Sequence, residues 1–128
     1  MRAEDLQISD WVDWNTYTIK HDYTQITHVQ VDTRLEDSYN FDCEPILLND
    51  DILKLNGWVT TYTTDMMVVW YNENIELPFR LHRDFYNDGY WLFVGETIFV
   101  NIQYVHELQH FMRDCHFIDE ANNFKLTI

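Results

Sequence analysis

Apolar and polar positions alternate through residues 6–14, with Leu6, Ile8, Val12 and Trp14 on the apolar side, and the alternation resumes at 17–19 after Asn15. A period of two places successive side chains on opposite faces of a strand, so the chain is expected to open with a β-hairpin or meander. Residues 23–31 are rich in Thr, Val, Ile and Tyr and predict a further strand. Periodicity then lapses. Between 32 and 51 the acids Asp32, Glu36, Asp37, Asp42, Glu44, Asp50 and Asp51 are set against Arg34 alone, and the stretch reads as a mostly exposed acidic loop containing Tyr39 and Phe41.

A short helix is expected next. Asn49 is suited to cap it, Asp50 and Asp51 fall in the first turn where the helix dipole favours anions, and Ile52, Leu53 and Leu55 supply a buried stripe before the Asn56-Gly57 stop. From Trp58 the pattern returns to strands at 58–63, 66–71, 75–82, 90–94 and 97–100, separated by turn residues at Thr64-Asp65, 72–74 and Asn87-Asp88-Gly89. Pro78 cannot donate to a ladder, which suits an edge position or a strand end. The segment 102–116 carries Tyr104, Val105, Leu108, Phe111, Met112 and Cys115 at helical spacing, and residues 124–128 alternate as a terminal strand would. The expected fold is α+β: a curled antiparallel β-sheet with one short and one longer C-terminal α-helix packed on it.

The chain has 128 residues and 46% hydrophobic content, which fits one domain spanning 1–128 around one core. Its 22 Asp and Glu against 8 Lys and Arg give a formal charge of −14. That sign repels a phosphate backbone, so no direct nucleic-acid binding is expected. No apolar run approaches the ~20 residues that cross a bilayer, and residues 1–14 lack the apolar core of a secretory signal. The expected location is the cytoplasm. Cys43 and Cys115 are too few and too far apart for a disulfide framework or a metal knuckle, and both read as reduced thiols, with Cys115 a core residue.

One motif invites an enzyme reading. His106-Glu107-Leu108-Gln109-His110 is an H-E-x-x-H sequence: residues four apart share a helical face, so two imidazoles can grip one zinc ion while the glutamate activates its water. The spacing to His116 also matches the longer metzincin pattern. Arg113, however, stands where that pattern needs a glycine to turn the chain back, and Arg continues a helix. His116 would then lie roughly 15 Å along the axis from His106, and the 12 residues after it leave no room for the wall of a protease cleft. The match is therefore expected to be incidental, with His106, Glu107, His110 and Arg113 on the solvated face of an amphipathic helix. The alternative is a small zinc metallohydrolase using His106 and His110 as ligands and Glu107 as general base.

The blocks Asp5-Leu6-Gln7-Ile8-Ser9-Asp10-Trp11-Val12, Pro45-Ile46-Leu47-Leu48 leading into Ile52-Leu53-Lys54-Leu55-Asn56-Gly57, and Tyr104-Val105-His106-Glu107-Leu108-Gln109 resemble a family of small proteins without an assigned activity, carried in Bacteroidota genomes and prophages. In that family the last block runs closer to Y-V-H-x-L-Q-N. The resemblance implies a mobile-element setting and a structural role for the helix.

These readings converge on an expectation. The chain is a non-enzymatic acidic phage or mobile-element protein, without cofactor, that binds a basic host protein such as a CRISPR nuclease or its RNA complex. It would act as an anti-CRISPR inhibitor does, by occluding or mimicking the nucleic-acid site. The expected contact residues are Asp32, Glu36, Asp37, Tyr39, Phe41, Asp42, Glu44, Asp50 and Asp51.

Overall fold

The computed structural model describes residues 5–13, 23–26, 43–85 and 88–127. Short strands β1 (Trp11–Asp13), β2 (Tyr23–Gln25) and β3 (Glu44–Pro45) pair antiparallel in the order β2-β1-β3, with Val12 opposite both Thr24 and Pro45. Helix α1 (Asp50–Leu55) begins where its cap residue dictates: the Asn49 side chain accepts from the Ile52 N–H at 2.9 Å, and Asp50 and Asp51 occupy the first turn. Gly57 closes the helix at φ 84°, in the left-handed region where any side chain is strained, so glycine is favoured there.

Strands β4 (Trp58–Thr63), β5 (Met67–Asn72), β6 (Arg80–Asp84), β7 (Tyr90–Val94) and β8 (Thr97–Ile102) then form a second antiparallel sheet in strict sequence order. Trp58, Trp70, Leu81, Leu92 and Ile102 face one side of it and are all but fully buried. Against them pack Leu53 of α1, Val105, Leu108 and Met112 of α2 (Val105–Asp114), and Ala121 of α3 (Ile118–Asn122). The α+β class holds. The single sheet does not: the strands divide between a sheet of three and a sheet of five, joined by the run after β3, where Leu48 N–H donates to the Gln103 carbonyl and Val105 N–H to that of Ile46, both at 2.9 Å.

Several expected elements shift for identifiable reasons. The strand at 75–82 begins only at Arg80, because Asn72 diverts the chain: its carboxamide oxygen accepts from the N–H groups of Asn74 and Ile75, an Asx-type turn. The long helix begins at Val105, since Ile102 completes β8 and Tyr104 is the N-cap. Residues after Asn122 form no terminal strand among those described; Phe124 is instead a buried plug in the core, and Lys125 N–H is held by the Asn56 side chain at 2.7 Å. Cys115 is only half-buried at the C-cap of α2, whereas Cys43 is buried, and neither is in a disulfide. No described helix is long and apolar enough to cross a membrane.

Candidate functional site

The polar side of α2 is only partly solvated. His106 retains 7% exposure, Gln109 none, and His110 and Arg113 turn inward onto the N-terminal segment. This corrects the amphipathic reading. The side chain that draws them in is Asp10, which is completely buried and came from a stretch with no chemical motif. Its Oδ2 accepts from the Gln7 N–H at 2.7 Å and lies 2.6 Å from His110 Nε2, while its Oδ1 takes Arg113 Nη1 at 2.5 Å. Arg113 also donates through Nε to Asn122 and through Nη1 to Gln7, so the guanidinium clamps α3 and the N-terminal segment together.

Gln109 does the same work one turn earlier. Its carboxamide oxygen accepts the Trp11 N–H at 3.0 Å, and its nitrogen donates to the Ser9 and Ala121 carbonyls at 2.9 Å each. Trp11 Nε1 completes the seam by donating to the Phe124 carbonyl at 2.6 Å. Every buried polar atom of Gln109 therefore has a partner, the condition for a buried amide to be tolerated.

The H-E-x-x-H residues take separate positions within this seam. Glu107 caps its own helix: one carboxylate oxygen accepts from both the Gln103 and Tyr104 N–H groups at 3.0 Å. For a neutral His110, the proton must sit on Nε2 to satisfy Asp10, which leaves Nδ1 with a lone pair. His106 stacks on Tyr104 and meets His110 edge-on with ring centroids 5.5 Å apart, and its Nδ1 is buried with no hydrogen-bond partner. A cavity of about 540 Å³ opens beside both rings, bordered by Asp5, Gln7 and Glu107. His106 and His110 could share an ion there, while one oxygen of Glu107 is held by two backbone N–H groups at the helix start. Among the described residues, no group of three or more His, Cys, Asp or Glu is disposed to hold a metal. His116 lies past the helix end at φ 68°, exposed.

Burial holds the His106 imidazole below its ordinary range, against the pull of Asp10 and with a smaller push from His110; burial and then Arg80 lower His82 likewise. A folded state that binds fewer protons than the unfolded chain is fully stable above the unfolded pKa of about 6.5. That stability is lost as the pH falls through this value. The unfolding free energy from urea titrations is thus expected to decline below about pH 6.5. His106→Phe should remove part of that slope and His82→Phe a second part; an unchanged slope in both variants would refute the assignment.

Of the expected contact acids, Asp32, Glu36, Asp37, Asp42 and the aromatics Tyr39 and Phe41 lie outside the described residues. Glu44 on β3 and Asp51 on α1 are exposed. Asp50 is engaged: Arg83 Nη1 donates to its Oδ2 at 2.7 Å, and the Tyr90 hydroxyl donates to its Oδ1. Burial, reinforced by that bond, pushes the Tyr90 phenol well above its usual range and keeps it a donor.

Compared with models of known protein families, with curated proteins and with solved structures, the chain matches none of them.

Proposed function

We propose that the chain is a non-enzymatic acidic protein that docks onto a basic protein partner, and that this partner is a host nuclease of the CRISPR type whose nucleic-acid site it occludes or imitates. The carrying observation is the way the fold spends its cations. Among the described residues, Arg113 is drawn inward onto Asp10 and the half-exposed Arg83 is paired with Asp50. Among the described residues, eleven acids are exposed against Lys54, Arg80 and Lys125. An excess of this kind steers encounter with a cationic cleft and repels phosphate.

The zinc alternative gains from the closeness of His106 and His110 and loses at Glu107 and Asp10, whose carboxylates already bind other groups. Stoichiometric zinc in protein purified without a histidine tag, lost in His110→Ala, would favour it.

The docking reading is tested by capture from a host that expresses its defence nucleases, at about 0.1 M and about 0.5 M salt. The expected result is one strongly basic protein retained at the lower salt and released at the higher. No capture at low salt would overturn the reading.

A further inference from the structure

We propose that the partner is received on the helix-free face of the five-stranded sheet, by a basic polypeptide segment that inserts apolar side chains between the β4–β5 turn and the β7–β8 turn. The inference rests on the acidic-docking reading and gives it a location.

Strand alternation defines this face. Trp70, Leu81 and Leu92 point into the core, so their neighbours point the other way. Register aligns Tyr62, Val69, His82 and Trp91 in one row across four strands, and Arg80, Phe93 and Ile98 in another. Apart from Arg80 and His82 these rows are apolar or aromatic, yet the described helices all pack on the opposite side. A groove of about 700 Å³ runs over the face between Tyr62, Met67, Val69, Leu77, His82 and Phe93. At the ends of the sheet Tyr62, Met66, Ile98 and Phe99 are each 56–61% exposed. Large apolar side chains this exposed at both outer strands offer anchor points for a contact.

The charge around the face selects the occupant. Asp65 is exposed in the turn beside Tyr62 and Met66, Glu96 in the turn beside Ile98, and Glu76 in the loop entering β6. Arg80, the exposed cation on the face, has its guanidinium 5.8 Å from the centroid of the Tyr71 ring, and His82 is stacked flat on Phe93 at 3.8 Å. An apolar floor with acidic turns at its ends suits a segment that carries lysine or arginine beside apolar anchors. A second copy of the chain brings like charge, −14 on each body, to the same face.

The mode of docking follows from the sheet edges. Thr61 in β4 and Phe99 in β8 are each skipped in the register, giving a bulge in both outer strands. Bulged edges resist the addition of a strand, so recognition falls to side chains on the face.

The test uses the full chain and three synthetic peptides of equal length: alternating Lys/Leu, all Lys, and alternating Glu/Leu, titrated by tryptophan fluorescence and by amide chemical shifts. Tyr62→Ser combined with Ile98→Ser strips exposed side chains only, and Ile118→Ser on α3 removes an equally exposed apolar side chain elsewhere. The Lys/Leu peptide should bind tightest, shift the amides of β5 to β7, and lose about tenfold in affinity in the double variant and nothing in Ile118→Ser. Equal Lys/Leu binding to the double variant would overturn this location while leaving the acidic-docking reading standing. No binding by either lysine peptide would overturn both. Preferential Glu/Leu binding, or a dimer of the unmodified chain that the double variant abolishes, would reassign the face and overturn the proposal.

Discussion

Asp10→Ala is expected to destabilise the fold by about 3–5 kcal/mol, the cost of removing one partner from a buried ion pair. The carboxylate is wholly buried, and the side chains it holds are partly so, with His110 retaining 23% and Arg113 11% exposure. Without it the Arg113 guanidinium keeps Asn122 and Gln7 but loses its counter-charge, and the Gln7 N–H and His110 Nε2 lose their acceptor. Urea unfolding followed by tryptophan fluorescence measures the loss. Asp10→Asn preserves shape and part of the hydrogen bonding, so it should fall between wild type and Asp10→Ala. A cost under about 1 kcal/mol for the alanine variant would mean that the cluster is solvated in solution and behaves as a surface pair.

Gln109→Leu should cost about 3 kcal/mol, although leucine matches the volume and suits a helix better. The loss comes from the partners left behind: the Trp11 N–H and the Ser9 and Ala121 carbonyls face a side chain that can bond to none of them, though Ser9 keeps the Gln25 amide at 3.0 Å. Amide hydrogen exchange separates this from a packing defect. The Trp11 amide should exchange faster in Gln109→Leu, while amides in β5 to β7 should lose protection only by the global change in stability. Unchanged exchange at Trp11 would show that its bond to Gln109 carries no free energy.

What could be read from the order of residues was whatever is decided locally. The Asn49 cap, the Asn56-Gly57 stop and the meander from Trp58 onward depend on neighbours a few positions away, and the structure places them close to expectation. The apolar stripe of α2 was equally legible. Its polar side was not, because periodicity identifies which residues lie opposite the stripe and says nothing about what covers them. Asp10 and Gln109 are separated from their partners by about a hundred positions, so no window of the sequence contains both halves of either contact. The H-E-x-x-H match directed attention to the correct helix for a chemical reason, while the bonds found there are mainly those of a scaffold: Glu107 caps, His110 pairs and Gln109 bridges. Phe124 alternates with its neighbours as a strand residue would, yet one large side chain in a gap of the core outweighs a short edge with no strand beside it.

The same separation orders assembly in time. The five-stranded sheet is built from adjoining hairpins, each of which closes a small loop at small entropic cost, whereas the seam from Ser9–Trp11 to Gln109–Phe124 closes loops about a hundred residues long. During synthesis the N-terminal strand leaves the ribosome long before Gln109 and Arg113 exist to receive it. The meander is therefore expected to form first, with Asp10 gaining His110 and Arg113 only when the last helices arrive, which would make that carboxylate the latch of the folding reaction.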